Sequence, residues 1–129
     1  MILAVLDASA LIALILREPG AEVVETVLTD SAVSAVNLAE VIGFLARNGA
    51  TEPDIREMIE VIEAEIVPFD AELAYAAGLL APVTRAAGLS LGDRACLALA
   101  IRLGVKALTT DQAWSRIAAA VRVEIELIR

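Results

Sequence analysis

The chain predicts an α/β fold built on a central five-stranded parallel sheet flanked by helices. Three observations carry that prediction. Residues 2–6, Ile-Leu-Ala-Val-Leu, form an apolar run without a polar face that stops at Asp7, as a strand covered on both faces does. Four more short strand-like segments follow, each separated from the last by helical periodicity, which is the pattern of a parallel sheet with crossover helices. Two of the five have the marks of edges. Residues 65–69 carry Pro68, which cannot donate to a ladder, and residues 121–127 alternate apolar and charged side chains. Right-handed crossovers then favour the strand order 3-2-1-4-5, with the first strand central.

The elements follow in order. After Asp7, residues 8–16 are rich in Ala and Leu and predict a helix, broken by Arg17-Glu18-Pro19-Gly20. A second helix spans about 21–28, with Val23, Val24, Val27 and Leu28 on one side. Residues 32–34 give the second strand. Residues 35–47 give a helix with Leu38, Val41, Ile42 and Leu45 at core spacing, closed by Asn48-Gly49. Thr51 caps a helix carrying Ile55, Met58, Ile59 and Ile62 to about residue 64. The third strand is 65–69. Asp70 caps a long alanine-rich helix over 71–87, kinked or interrupted at Pro82. Residues 88–92 form a loop, 93–103 a helix ended by Gly104, and 105–109 the fourth strand. Thr110-Asp111 opens a short helix through Trp114, and 121–127 closes the sheet.

Composition bounds the function. The 129 residues make one domain with no linker, repeat or low-complexity segment. A 59% hydrophobic content excludes disorder and implies apolar surface covered by a partner. The net charge of −8 argues against broad coating of nucleic acid and suits a protein that holds cations. The absence of histidine and the single Cys96 exclude imidazole bases, Ser-His-Asp triads and zinc sites. The lone thiol fits a reducing cytoplasm. No window reaches the roughly 18 apolar residues needed to cross a bilayer, and Asp7 interrupts the N-terminal apolar run. The expectation is a soluble cytoplasmic protein without membrane contact.

Four acids carry the chemistry, and each has a plain structural explanation. Asp7 fits the N-cap of the first helix. Asn37-Leu38-Ala39-Glu40 has the form of a capping box, with Glu40 reaching back to a backbone amide. Ser90-Leu91-Gly92-Asp93 matches the same box, and Asp111 is a first-turn acid. Their joint position says more. In the predicted order Asp7 and Asp111 leave the carboxyl ends of adjacent strands, where open α/β sheets bind ligands. Glu40 lies one turn into the helix after the second strand, and Asp93 starts the helix that feeds the fourth. Four carboxylates in one cleft repel one another. A divalent cation removes that repulsion, and oxygen-only ligation suits Mg²⁺ or Mn²⁺. Such a site lowers the pKa of a bound water that attacks a phosphodiester. Ser9 and Thr109, each two residues from an acid, are placed to orient the water or a scissile phosphate, or to make local turn bonds.

Asp7-Ala8-Ser9, Glu40 in the helix after Ser34, the run Leu89-Ser90-Leu91-Gly92-Asp93-Arg94-Ala95-Cys96-Leu97-Ala98, and Leu108-Thr109-Thr110-Asp111 together resemble the acidic signature of PIN-domain nucleases. Size and the Leu-Gly-Asp-Arg run are most similar to VapC toxins of toxin–antitoxin pairs. The resemblance spans essentially the whole chain. It implies the PIN-like three-layer sandwich, a metal site at Asp7, Glu40, Asp93 and Asp111, and Mg²⁺-dependent endoribonuclease cleavage of RNA. It also implies a cognate antitoxin that blocks the site, and homodimers. Arg94 is a candidate phosphate contact or a plain helix-surface arginine. Trp114 and Cys96 read as core, and Asp70 lies away from the cluster. Lys106 and the nine arginines form no run that marks an RNA track. The apolar surplus on helices 21–28 and 55–62 offers a groove for an amphipathic antitoxin helix or a dimer face. Two other readings compete: a phospho-acceptor receiver-like signalling module, which lacks its paired acids and its lysine here, and a catalytically silent PIN-like partner-binding protein.

Overall fold

The computed structural model describes all 129 residues. Five strands, β1 (Ala4–Leu6), β2 (Ser31–Ser34), β3 (Glu65–Val67), β4 (Lys106–Thr109) and β5 (Ile125–Leu127), form one sheet in the order β3-β2-β1-β4-β5. Every pairing is parallel. The predicted order holds, with β3 and β5 at the edges.

Eight helices surround the sheet: α1 (Ala8–Leu16), α2 (Ala21–Val27), α3 (Ala35–Arg47), α4 (Glu52–Glu60), α5 (Ala71–Leu79), α6 (Ala81–Thr84), α7 (Leu91–Leu103) and α8 (Ala118–Val121). The period-two alternation of the strands sorts them into two cores. Ala4, Leu6, Val33 and Leu108 point to one face and pack with Leu11 of α1, Val24 of α2, Val41 and Leu45 of α3 and Ile55 of α4. Val5, Ala32 and Ala107 point to the other, against Leu73 of α5, Leu97 and Leu99 of α7, and Trp114. Leu6, Leu11, Leu97, Leu99 and Leu108 are wholly buried, each worth about 2 kcal/mol by area removed from water. The small residues of α7, Ala95, Ala98 and Ala100, let that helix sit buried close to the sheet. No helix is long and apolar enough to cross a membrane.

Element ends depart from the sequence reading where local hydrogen bonding overrules periodicity. The helix expected to reach residue 64 stops at Glu60, because Ile62 N–H turns back to Ile59 O. The helix predicted over 71–87 splits near Pro82, which lacks an N–H. It becomes α5, α6 and a 3-10 turn over Arg85–Ala87 closed by left-handed Gly88. Helix α7 starts at Leu91 rather than residue 93, since Ser90 caps it. The stretch after Asp111 is a 3-10 helix, Gln112–Arg116. Residues 121–127 were expected to be strand throughout. Instead Val121 ends α8, a helix the sequence did not announce, and Arg122 takes a left-handed turn at φ 58° before β5.

Gly20 shows why one turn admits no side chain. Its φ is +99°, and a Cβ there would meet the Ile128 carbonyl oxygen at 2.6 Å. Gly49 has a similar φ of +95° but open space around it. Gly20→Ala is expected to cost about 2–3 kcal/mol in urea unfolding, with Gly49→Ala costing about 1 kcal/mol from backbone strain alone.

Candidate metal centre

Asp7 ends β1 and caps α1. Its Oδ1 accepts from Ala10 N at 2.8 Å and from Ser9 Oγ at 2.7 Å, and its Oδ2 accepts from Thr109 Oγ1 at 2.6 Å. The Asp7 N–H donates to Leu108 O at 3.2 Å, which continues the β1–β4 ladder to this residue. The carboxylate is therefore held by both central strands and is only 4% exposed. Ser9 Oγ in turn accepts from Thr110 N at 3.0 Å, and Thr109 Oγ1 accepts from Asp111 N at 3.0 Å. A hydroxyl has one proton. Those of Ser9 and Thr109 go to Asp7, so both residues fix Asp7 and the loop leading to Asp111. The contact to a phosphate oxygen expected of them would need that same proton, whereas a water can still donate to a hydroxyl lone pair.

Around this buried carboxylate the other acids are arranged by depth. Asp93 is half-buried, while Glu40 and Asp111 are exposed. Asp93 sits in the first turn of α7 in a complete capping box. Its Oδ2 accepts from Ser90 N at 2.9 Å, and Ser90 Oγ accepts from Asp93 N at 3.2 Å. Asp111 Oδ1 accepts from Ala113 N at 2.9 Å. These capping roles are as the sequence suggested; the one at Glu40 is not. Ser34, not Asn37, caps α3. Glu40 Oε1 accepts from the Asn37 side-chain amide at 2.8 Å instead of reaching a backbone N–H. Glu40 also lies against Gly92, the neighbour of Asp93, so closely that a Cβ on Gly92 would come within about 2.2 Å of Oε1. Asn37 and Gly92 are the site residues that sequence reasoning missed. The first was legible only as a supposed cap, the second only as a loop residue.

Burial pushes the Asp7 carboxyl up to about 6, against the relief its three hydrogen bonds give, and the Asp93 charge pushes it further up. The buried Cys96 thiol is raised well above its usual range, first by burial and then by the charges of Asp7, Asp93 and Glu40. One thiol on α7 is thus raised by the charges of three of the four carboxylates. None of the five ion pairs of the chain involves Asp7, Glu40, Asp93 or Asp111. Arg94 donates to Ala77 O at 3.0 Å, which ties its guanidinium to α5. Trp114 is fully buried and unavailable for base stacking. Asp70 caps α5 and pairs with Arg102 at 2.8 Å, apart from the cluster.

The donor set fits a hard divalent cation. All donors are oxygens, and Asp7 Oδ2 carries a single hydrogen bond and retains a lone pair. As placed, no three acidic side chains close into a cage.

The PIN domain family model matches residues 4–120. Among curated proteins, none matches the chain. Many solved structures are similar, three of them as follows. A chain of the DNA-bound VapBC from Salmonella typhimurium is 20% identical, with both chains covered over 100% and a TM-score of 0.80. A chain of VapBC2 from Rickettsia felis, bound to a fragment of its promoter, is 18% identical over 98% of each chain, with a TM-score of 0.75. A chain of VapBC-5 from Mycobacterium tuberculosis is 24% identical over 96% of this chain and 98% of that one, with a TM-score of 0.64. At these identities the likeness is one of fold.

A carboxyl raised from 3.8 to about 6 costs the metal-free folded state on the order of 3 kcal/mol at neutral pH. The penalty is absent below pH 3.8, grows as the unfolded chain ionises first, and is complete above about pH 6. Asp7→Asn is therefore expected to stabilise the metal-free protein in urea at pH 7.5, with the difference from wild type vanishing toward pH 4.

Proposed function

The chain belongs to the PIN-domain family, and on that premise we propose that it is the toxin of a toxin–antitoxin pair, a Mg²⁺- or Mn²⁺-dependent endoribonuclease acting in the cytoplasm. The observation that carries this reading is a buried aspartate, Asp7, 4% exposed at the carboxyl end of the central strand, with the charge of Asp93 acting on it and no cationic side chain paired to it. A carboxylate in that position is stabilised by a divalent cation more than by any group of the chain itself.

Asp7, Glu40, Asp93 and Asp111 would hold the ion, at the carboxyl ends of β1 and β4, the second turn of α3 and the first turn of α7. When bound, it supplies charge neutralisation and an activated water for adding H₂O across a P–O bond of RNA. Ser9 and Thr109 hold Asp7 Oδ1 and Oδ2 in place. The N–H groups at the start of α7 and α1 favour negative charge there, which suits a phosphate as well as the acids. A proton on Asp7 competes with the ion, so Mn²⁺ affinity is expected to fall about tenfold per pH unit below about pH 6.

The partner reading rests on surface. A groove of about 620 Å³ between α3 and α4 is lined by Leu38, Ile42, Ala46, Ala50, Ile55 and Ile59, with Glu52, Arg56 and Glu60 at its rim. Of the two helices expected to offer apolar surface, the one carrying Ile55 and Ile59 does so, together with α3 rather than with α2. Arg56 is paired with Glu52, which leaves Glu60 as the uncompensated rim charge. The groove suits an amphipathic antitoxin helix with a basic flank. The apolar face of α5, with Tyr75 and Leu79 exposed beside Ala71, Ala74 and Gly78, is where a homodimer would form.

Cleavage of a mixed RNA pool by the purified chain is expected with Mn²⁺ or Mg²⁺ and not with chelator. Asp7→Asn should lose roughly a hundredfold or more, since even an outer partner of a metal ligand contributes 10–100-fold. An undiminished rate in that folded variant overturns the nuclease reading, and tight antitoxin binding with no cleavage of any RNA identifies a silent binding protein. Ile59→Glu in the groove is expected to weaken capture of the co-expressed product of the adjacent gene about tenfold or more while cleavage persists. Unchanged capture refutes the groove assignment.

A further inference from the structure

We propose that Asn37 and Gly92 are positioning residues that clasp the Glu40 carboxylate onto the start of α7 and so set its place beside Asp93; the functional consequence rests on the metal-site reading above. Asn37 is 1% exposed. Its Nδ2 donates to Glu40 Oε1 at 2.8 Å and to the Gly92 carbonyl at 3.0 Å. Both neighbours are acceptors, so only the NH₂ edge of the amide can face them. One side chain thus bonds a carboxylate on α3 and the backbone of α7 at once.

Gly92 completes the clasp from the other side. It is buried, and Glu40 Oε1, Cδ and Oε2 occupy the space where any Cβ would stand. The carboxylate is pressed on the α7 backbone one residue before Asp93, with the amide of Asn37 closing over it. No cation takes part, so the fixed dipole of Asn37 is the group that orients Glu40.

Stability alone does not account for Asn37. Its Oδ1 is buried without a partner, and an unsatisfied buried acceptor costs about 1–3 kcal/mol. Trp114 Nε1 is likewise buried without a partner, but the indole fills the core with a large apolar ring, whereas Asn37 brings little apolar surface to offset the cost. The amide earns its place by what its NH₂ holds. Partners of this kind, one bond behind a metal ligand, typically change metal affinity by about 10–100-fold.

The test is a double-mutant cycle on the full chain, read by calorimetric titration of Mn²⁺ alone, with thermal unfolding recorded for each variant. Asn37→Ala and Gly92→Ala are each expected to weaken Mn²⁺ binding about tenfold. In a Glu40→Gln background each should change it less than about twofold, because both act through Glu40. An equal loss in that background overturns the proposal. A second measurement needs no buried variant and no metal. In ¹⁵N spectra of the metal-free protein, Glu40→Gln should move the Asn37 side-chain amide protons, since one of them loses a charged acceptor. Unmoved resonances refute the clasp. Should the wild-type chain bind no Mn²⁺, the metal reading falls by itself, and the amide resonances still decide whether Asn37 holds Glu40.

Discussion

The structure turns on how one carboxylate is kept charged at the end of a buried strand. Asp7 follows three wholly buried residues, Ala4, Val5 and Leu6, and water does not solvate it. Its three donors come from its own helix cap and from the neighbouring strand. That ties the β1–β4 pairing, the entry into α1 and the loop after β4 to a single group. Burying it costs on the order of 3 kcal/mol, an amount that one or two of the fully buried leucines offset. The fold is stable enough to carry a site that lowers its own stability.

Capping and clustering are one device here. In a parallel sheet the carboxyl end of each strand faces the start of a helix, and a helix start presents unpaired N–H groups. Asp7, Asp93 and Asp111 satisfy such groups, and the same geometry gathers them at one end of the sheet. The cap fixes the backbone of each acid and uses only part of the acceptor capacity of its carboxylate. Glu40 is the exception. It caps nothing, stands further along its helix, and is held by a side chain and a glycine instead.

Helix α3 links the two surfaces of the protein. Asn37 and Glu40 face α7, while Leu38 and Ile42 line the apolar groove with α4. A ligand seated in the groove therefore bears on the same helix that presents Glu40. The division follows from helical periodicity, which sends neighbouring residues to different faces. Charge follows a similar logic. Most arginines are exposed, several of them pair with surface acids, and Arg94 is spent on a carbonyl of α5. None of the cationic side chains pairs with Asp7, Glu40, Asp93 or Asp111.

Much of this was legible in the residues themselves. Apolar runs, turn signals and two edge-strand signatures determine the parallel sheet and its order, because burial on two faces, on one face, or at an edge each leaves a different pattern. Single-residue signals at Asp7, Ser90-Asp93 and Asp111 likewise announce their caps, since a cap is made within a few residues of chain. Pro82 also announces the break in its helix, because it lacks an N–H, whereas nothing local announces the left-handed turn at Arg122 or the extra helix before β5. Nor does anything local announce the true setting of Glu40. Asn37 bonds a carbonyl 55 residues away, and Gly92 is required by a side chain on another helix. Sequence alone determined which acids end which elements; only the folded chain determined what each carboxylate touches, because those contacts join segments that nothing local brings together.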